Sequence, residues 1–252
     1  MKLKDKVALI TGASRGIGKG IALGFAAEGA DIIVNYFTSR ENAEQTVEEI
    51  LAKKRRAVAI QAEIGEAQSV RDLVERAWST FGRIDILVNN AASAPHQDFL
   101  AMEFDQWRRV LAVNLDGAML CSQTVAKRMI AARIRGKIIN VSSLNARQAE
   151  RSQVHYNVSK AGLDMLTKCL AVELGPYGIN VNGMAPDLVR TEILPEGFWE
   201  EVGGAFSKRT PLGRKAEVED CVGPAVFLAS EDSQYLQGQT ILLDGGMSIF
   251  MI

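Results

Sequence analysis

The fold follows from one stretch near the amino terminus, Val7-Ala8-Leu9-Ile10-Thr11-Gly12-Ala13-Ser14-Arg15-Gly16-Ile17-Gly18. Its first four residues are apolar and predict a buried strand, while apolar positions at helical spacing run from residue 17 to residue 28. The glycines between the two elements predict a tight turn, because glycine adopts backbone conformations that other residues avoid. The stretch therefore predicts a strand, a glycine turn and a helix in direct succession.

The same alternation continues along the chain. Further strands are predicted at residues 31–35, 57–60, 84–88, 137–141, 179–182 and 240–243, separated by helices at about 40–54, 69–80, 104–134, 155–174 and 218–230. Apolar strands that alternate with helices form parallel sheets covered on both faces. We therefore predict an α/β fold, a Rossmann-like doubly wound seven-stranded parallel sheet with helices on both faces. One domain over residues 1–252 is the simplest partition.

Composition narrows the class of protein. The 252 residues carry 29 Lys and Arg against 30 Asp and Glu, so nucleic acid is not an expected partner. No apolar run has the length of a membrane span or a leader, so we expect no membrane partner and a cytoplasmic location. Two distant histidines and three distant cysteines predict no metal site. Cys121, Cys169 and Cys221 are expected to be buried free thiols.

The glycine turn also predicts a ligand. Glycines let a backbone approach a pyrophosphate closely, and the helix that starts near Gly16 directs free N–H groups and a positive dipole end at that anion. The spacing departs from the usual G-x-G-x-x-G, because Ile21 stands three residues after Gly18. A simple turn between a strand and a helix is the alternative interpretation.

Two more motifs carry candidate chemistry. Tyr156 and Lys160 are four residues apart and share a helix face, where an ammonium favours the phenolate form and lowers the pKa of a tyrosine. Ser142 and Ser143 follow a predicted strand, where a hydroxyl can stabilise charge on a substrate oxygen. Taken singly, each motif is also compatible with a solvated helix face or a polar strand end.

In this order and at these strand ends, the motifs resemble those of the short-chain dehydrogenase/reductase family, over residues 7 to 246. Ser143 lies 13 residues before Tyr156, the usual family spacing, and Asn114 falls at the position of the family's asparagine. The resemblance implies hydride transfer between a nicotinamide cofactor and a carbonyl or alcohol. It implies that Tyr156 moves the proton, Ser143 orients the oxygen, Lys160 binds the ribose and lowers the pKa of Tyr156, and Asn114 holds a water near Lys160.

The resemblance also implies a set of cofactor-binding residues. They are Gly12, Ser14, Arg15, Gly16, Ile17, Gly18, Tyr36, Thr38, Ser39, Arg40, Glu63, Ile64, Asn90, Ala91, Tyr156, Lys160, Pro186 and Thr191. Where NAD-dependent members carry an acidic residue after the second strand, this chain has Tyr36. Arg15, with Thr38, Ser39 or Arg40, offers donors to a 2′-phosphate. NADP(H) is therefore favoured, and NAD(H) stays possible.

The substrate is less constrained. The residues expected to line the substrate pocket lie on loops after the fourth to sixth strands. They are Ala94, His96, Asn145, Arg147, Arg151, Gln153 and Asp187, together with the segment 188–206. That segment belongs to a lid expected at about residues 187–215. This polar set favours a sugar or polyol, with a 3-oxoacyl reductase as the alternative. Arg147 and Arg151 could instead face water. A non-catalytic nucleotide sensor and a nucleotide-sugar epimerase are more distant alternatives.

Three positions depart from the family pattern: Ala92 replaces a glycine, Glu63-Ile64 replaces Asp-Val, and Asp187 replaces the glycine after Pro186. Asp187 adds a carboxylate where nicotinamide or substrate is expected.

The family usually forms homotetramers, and the apolar tail Ile249-Phe250-Met251-Ile252 would be an exposed patch on a monomer. A homotetramer is therefore expected.

Overall fold

A computed structural model describes residues 1–191 and 207–249 of the chain. Its strands are β1 (Val7–Ile10), β2 (Asp31–Tyr36), β3 (Ala57–Gln61), β4 (Ile86–Asn89), β5 (Lys137–Val141), β6 (Asn180–Pro186), β7 (Val189–Arg190), β8 (Ala216–Glu217) and β9 (Thr240–Leu243). Within the described ranges, seven of them form one parallel sheet in the order β3-β2-β1-β4-β5-β6-β9, and β7 pairs with β8. The predicted doubly wound sheet is confirmed.

The helices that cover the sheet are α1 (Gly16–Ala27), α2 (Arg40–Ala52), α3 (Ala67–Phe81), α4 (Phe104–Leu111), α5 (Gly117–Ala131), α6 (Val154–Leu174) and α7 (Val218–Ala229). The stretch predicted as helical over residues 104–134 is divided, because a π-helical turn, Ala112–Asp116, joins α4 to α5. The last predicted strand before the lid is longer than expected, since β6 continues through Pro186.

Two apolar cores lie on opposite faces of the sheet. Alternate residues of β1 point to opposite sides, so that Ile10 packs with α1, α2 and α7 and Leu9 packs with α3, α5 and α6. Every residue of β1, β2, β4 and β5 is buried, as continuous apolar strands require. The edge strands β3 and β9 are only partly buried.

The strand order reverses between β1 and β4, and this reversal positions the site. The strands β2 and β3 lie on one side of β1, whereas β4, β5, β6 and β9 lie on the other. The chain therefore leaves the carboxyl ends of β1 and β4 in opposite directions and opens a crevice between them. The glycine turn and residues 90–93 border this crevice.

One prediction about the cysteines is wrong. Cys121 and Cys221 are buried, but Cys169 is exposed. It lies on an outward-facing side of α6 together with Met165 and Val172, which are also exposed. In the part of the chain that is described, no helix combines the length and apolar character needed to cross a membrane.

Candidate active site

The glycine turn after β1 is held by side chains from neighbouring strands. Gly12 and Gly16 have φ angles of +63° and +56°, which a residue with a Cβ adopts only with strain. Asn35, buried in β2, accepts hydrogen bonds from the N–H of Gly12 at its side chain (3.2 Å) and from Ala13 at its carbonyl (2.9 Å). Asn35 follows directly on the apolar residues Ile32-Ile33-Val34 of the same strand. A polar residue at such a buried position was the sequence signal for this role, which was not among the predictions made from the sequence.

A second clamp comes from the segment after β4. The Nδ2 atom of Asn90 donates to the carbonyls of Thr11 (2.9 Å) and Gly12 (3.1 Å). In return, the Thr11 hydroxyl accepts from the backbone N–H groups of Asn90 (2.9 Å) and Ala91 (3.0 Å). Asn90 and Ala91, predicted to line the cofactor, therefore also fix the shape of the turn.

The turn fits an anionic diphosphate. A Cβ at Gly18 would lie 2.5 Å from both the Gly12 carbonyl oxygen and Asn90 Nδ2, so the cradle tolerates no side chain there. Arg15, the N-cap residue of α1, makes no side-chain capping hydrogen bond, and the first turn of α1 carries no acidic residue. Its N–H groups and positive dipole end are thus available to phosphate oxygens.

The predicted 2′-phosphate donors differ in their availability. Tyr36 ends β2 and is buried, whereas Thr38, Arg15 and Arg40 are exposed and Ser39 is partly buried. Arg40 forms an ion pair of 2.7 Å with Glu44 one helical turn away. Arg15 is therefore the stronger candidate for an anionic ligand, because no carboxylate is paired with it among the described residues.

The two residues expected near the adenine lie on the segment after β3. Glu63 is exposed and Ile64 is buried. Ile64 packs so closely on Gly117 that a Cβ on that glycine would lie 2.4 Å from Ile64 Cγ2. Ile64 thus links this segment to α5.

Tyr156, Lys160 and Ser143 converge at the carboxyl end of β5. Lys160 is buried, and its Nζ donates to the carbonyl of Val141, the last residue of β5, at 2.7 Å. The same Nζ lies 5.6 Å from the centroid of the Tyr156 ring. The Ser143 side chain lies close enough to the Tyr156 hydroxyl to lower its pKa, and Ser143 Oγ accepts a hydrogen bond from the N–H of Asn145 at 3.1 Å.

Burial dominates the proton affinities of this group. It raises the pKa of Tyr156 above the ordinary value, although the Ser143 side chain opposes the rise. Burial also lowers the pKa of Lys160 to about 8, partly offset by Asp164. The structure thus differs from the expectation that Lys160 sets the pKa of Tyr156, because in a buried pair desolvation disfavours both charged forms. At neutral pH the tyrosine holds its proton.

Asn114 occupies the π-helical turn and is buried. Its side chain accepts from the N–H of Ser93 (2.7 Å) and donates to the Ser93 carbonyl (2.9 Å) and to Ser159 Oγ (3.0 Å). Ser159 Oγ in turn donates to the carbonyl of Tyr156 at 2.7 Å. Inserted turns of this type recur at functional sites. No local pattern in the sequence indicated the turn or the partners Ser93 and Ser159.

His155 is a further residue that the sequence analysis did not assign. It is fully buried, and its Nδ1 accepts the backbone N–H of Tyr156 at 2.8 Å. Burial lowers the pKa of His155, which keeps the ring neutral. The ring therefore satisfies one of the free amides in the first turn of α6 and orients the backbone of Tyr156.

The predicted pocket residues divide into two groups. His96 and Gln153 lie side by side, with 3.0 Å between their Nε2 atoms, and Asn145 contacts Glu150 and Asn157. Arg147 is directed away from these residues, because it contacts the Thr240 carbonyl (3.2 Å) and Asp164 (3.7 Å). Ala94 and Arg151 are exposed, in agreement with the alternative that Arg151 faces water.

The remaining predicted residues lie at and beyond the end of β6. Pro186 is buried, and Asp187, Leu188 and Thr191 are partly buried. Most of the expected lid, including Phe198 and Trp199 at residues 192–206, lies outside the described residues, as do residues 250–252 of the apolar tail.

A glycine cradle for a dinucleotide and a partly buried tyrosine beside a buried lysine at the same sheet edge define a nicotinamide-dependent oxidoreductase. A family model described as enoyl-(acyl carrier protein) reductase matches residues 12–248. A short-chain type dehydrogenase/reductase from Mycobacterium marinum superposes with a TM-score of 0.92 at 33% identity, over 98% of this chain and 97% of the other. The chain belongs to the short-chain dehydrogenase/reductase family.

Relatives with assigned activities fall into two groups. The chain is 39% identical over 248 residues to an L-rhamnose 1-dehydrogenase (NAD(P)(+)) of Sphingomonas sp., covering 98% of both chains. It is 38% identical over 249 residues to a 3-oxoacyl-[acyl-carrier-protein] reductase of Synechocystis sp., covering 98% of this chain and 99% of the relative. The two identities differ too little to choose a substrate.

The cradle supplies a first prediction. Replacing Gly18 with Ala places a methyl group 2.5 Å from the Gly12 carbonyl, so the turn must shift. We expect the Kd for NADPH to rise about tenfold or more and the free energy of unfolding to fall by about 1–3 kcal/mol, as overpacking of a tight site does. Fluorescence titration with NADPH and urea unfolding measure the two effects.

The matched control is Gly223→Ala in α7, where, among the described residues beyond the neighbouring helix backbone, no atom lies within 4 Å of the new Cβ. That variant should bind NADPH normally, and no gain in stability is expected, because the ring of Pro224 restricts the residue that precedes it. Wild-type affinity in Gly18→Ala would contradict the assigned cradle.

Proposed function

We propose that the protein oxidises a neutral sugar or polyol, or reduces the corresponding carbonyl compound, with NADP(H) as its preferred cofactor. The observation that carries this proposal is the convergence of Ser143, Tyr156 and Lys160 beside the glycine cradle. Bound nicotinamide supplies or accepts the hydride. The chain's own residues must then bind the reacting oxygen and move one proton.

Tyr156 moves that proton in the proposed mechanism. During reduction its Oη donates a proton to the carbonyl oxygen, and during oxidation it accepts the proton of the alcohol. Its raised pKa suits the first role at neutral pH, because the hydroxyl is protonated. Ser143, which lies beside the Tyr156 hydroxyl, orients the same substrate oxygen.

Lys160 and Asn114 support the tyrosine in this proposal. The Lys160 ammonium lies near the Tyr156 ring and favours the phenolate whenever the tyrosine gives up its proton. Lys160 would also bind the nicotinamide ribose. Asn114, fixed by Ser93 and Ser159, would hold a water that returns a proton toward Lys160.

The dinucleotide would be held by the residues that resemble the family's binding set. Gly12, Ser14, Gly16, Ile17 and Gly18 surround its phosphates, and Asn90 and Ala91 fix that turn. Tyr36, Thr38, Ser39, Glu63 and Ile64 surround the adenosine, while Pro186 and Thr191 lie toward the nicotinamide.

Arg15 supports the preference for NADP(H) and gives a second prediction. In Arg15→Gln, we expect kcat/KM for NADPH to fall about tenfold or more, because a charge-assisted hydrogen bond to the 2′-phosphate is lost. The value for NADH should change little, since NADH lacks that phosphate. Arg71→Gln, which removes an exposed arginine on α3, is the control. A wild-type enzyme that prefers NADH would overturn the proposal.

The sugar or polyol assignment rests on polar side chains and on the rhamnose dehydrogenase relative. His96 contacts Gln153, and Asn145 contacts Asn157, the residue after Tyr156; such polar side chains suit hydroxyl groups better than an acyl chain. The 3-oxoacyl reductase remains the second candidate because a relative of almost equal identity carries that name.

A substrate panel decides between them. Aldoses, polyols, hydroxy acids and acetoacetyl-coenzyme A are supplied with the appropriate form of NADP, and absorbance of the reduced nicotinamide is recorded. We expect turnover of an aldose or a polyol. Turnover of acetoacetyl-coenzyme A alone would favour the second candidate, and no turnover at all would favour a nucleotide sensor.

We also propose that the protein forms a homotetramer in the cytoplasm. Each subunit would be a single domain with a lid at about residues 187–215. An apolar row on α6, formed by Val158, Met165 and Val172, is exposed in the single chain, and Met119 on α5 is exposed as well. Burial of these side chains between subunits would remove an apolar surface from water. Light scattering that gives the mass of a monomer would refute this assembly.

A further inference from the structure

Asp187 is the departure from the family pattern that adds a carboxylate at the carboxyl end of β6. It directly follows Pro186, the last residue of β6, and its N–H donates to the Leu243 carbonyl of β9 at 3.1 Å. In the parallel register Val141 of β5 lies opposite Met184, and the N–H of Ser142 donates to the Met184 carbonyl at 2.7 Å. Asp187 thus emerges from the sheet beside the strand end that carries Ser143.

The carboxylate lines a cavity of about 220 Å³ at this edge. Other walls come from Leu188, Thr210, Leu212 and Asp244. A cavity of this size accommodates part of a sugar-sized molecule. Asp187 is only partly buried, so it keeps surface that a ligand in the cavity can contact.

Most of the other charged groups around this cavity form hydrogen bonds with neighbouring residues. Arg214 forms two hydrogen bonds with Asp220, of 2.6 and 2.7 Å. Asp244 accepts from the N–H groups of Gly246 (3.0 Å) and Ser248 (2.8 Å), which hold a turn after β9. Lys215 also lines the cavity and has a partner of its own. The carboxylate of Asp187 accepts a hydrogen bond from the N–H of Leu188 and keeps further acceptor capacity.

We propose that Asp187 determines specificity in this site by accepting hydrogen bonds from the hydroxyls of a neutral sugar and by excluding substrates that carry a carboxylate there. The inference rests on the proposed function and adds a charge preference to it. A buried or partly buried carboxylate attracts hydroxyl donors and repels a second anion, so one side chain provides both selection and rejection.

The groups that face Asp187 set the pH dependence. Burial raises its pKa above the ordinary value, Asp244 and Glu150 raise it further, and the Leu188 N–H and Arg209 oppose the rise. Asp220, Arg214 and Lys215 complete the charged groups of the described cavity wall. Above this raised pKa the carboxylate is ionised and excludes anions. As the pH falls through it, the charge is lost and the exclusion must weaken.

The test compares aldoses with the uronates of the same configuration: D-glucose with D-glucuronate, D-galactose with D-galacturonate, and D-mannose with D-mannuronate. For each pair, kcat/KM is measured with NADP⁺ for the neutral sugar and for the uronate, and the first value is divided by the second. In the wild type we expect the neutral sugar to be favoured by on the order of tenfold or more. In Asp187→Asn, which preserves size and removes charge, that ratio should fall by on the order of tenfold through faster turnover of the uronate.

Two further measurements separate charge from a structural effect. The ratio for the wild type should decline as the pH falls toward and through the raised pKa of Asp187, over the range in which the uronate, with a pKa of about 3.5, stays ionised, whereas the ratio for Asp187→Asn should stay flat. Asp187→Gly, which restores the family residue, should behave like Asp187→Asn. Asp72→Asn on α3 is the surface control and should leave the ratio unchanged.

The outcomes distinguish the two proposals. An enzyme that oxidises aldoses, but whose ratio is the same in the wild type and in Asp187→Asn, overturns the role of Asp187 alone. The role of Asp187 is also overturned if the ratio for Asp187→Asn changes with pH as it does in the wild type. An enzyme that oxidises no sugar or polyol overturns the proposed function, and the role of Asp187 falls with it.

Discussion

Replacing Tyr156 with Phe should lower kcat by about 10²–10⁴-fold, the range that a general acid–base group contributes. The change removes only the hydroxyl group, which lies beside Ser143 and would exchange a proton with the substrate oxygen. The ring continues to pack near the Lys160 ammonium. The Kd for NADPH and the free energy of unfolding should therefore change little.

Steady-state kinetics in both directions measure this effect, and NADPH titration with urea unfolding establishes that the variant is intact. Tyr177→Phe removes a hydroxyl from an exposed ring after α6 and should leave kcat unchanged. Wild-type turnover in Tyr156→Phe would exclude the proposed mechanism, since in that mechanism Tyr156 alone transfers the proton to or from the substrate.

Replacing Lys160 with Met should also lower kcat by about 10²-fold or more, because the phenolate loses the ammonium that stabilises it. Methionine has a similar length and suits a buried position. Unlike Tyr156→Phe, this change should also weaken NADPH binding, because Lys160 is proposed to hold the ribose. Kinetics and NADPH titration separate the two losses, and Lys168→Met on the same helix is the control.

The same variant makes a prediction about stability that follows from the burial of the Lys160 ammonium. Burial lowers the pKa of Lys160 from 10.5 to about 8, so between these values the unfolded chain binds more protons than the folded chain. The stability of the wild type must then rise with pH across this window, relative to Lys160→Met, by on the order of 3 kcal/mol in total. Below pH 8 the difference between the two proteins should be constant.

Urea unfolding of both proteins at pH 7, 8.5 and 10 measures this difference. Groups that titrate in the window and do not interact with Lys160 are common to both proteins and cancel in the comparison. A difference in unfolding free energy that does not change with pH would show that the Lys160 ammonium is not desolvated in the folded protein.

The sequence was sufficient for the architecture because local patterns and long-range packing agree. Strands such as β1 and β2 are apolar at nearly every position, which only a sheet covered on both faces can satisfy. The regular alternation with helices then leaves parallel strands with crossovers as the consistent topology. The sequence could not predict the π-helical turn at Asn114, since it depends on partners 21 and 45 residues away in the chain, Ser93 and Ser159.

Residue types and spacing, by themselves, determined the glycine turn, the tyrosine–lysine pair and the strand ends on which they lie. Only the tertiary structure decided how strongly each group holds its proton and where it points. Burial, not the spacing of four residues, sets the pKa of Tyr156 and Lys160, and contacts across the fold direct Arg147 away from the pocket and Asp187 into a cavity. The reason is that desolvation and charge pairing depend on every element packed around a group, whereas a motif records only neighbours along the chain.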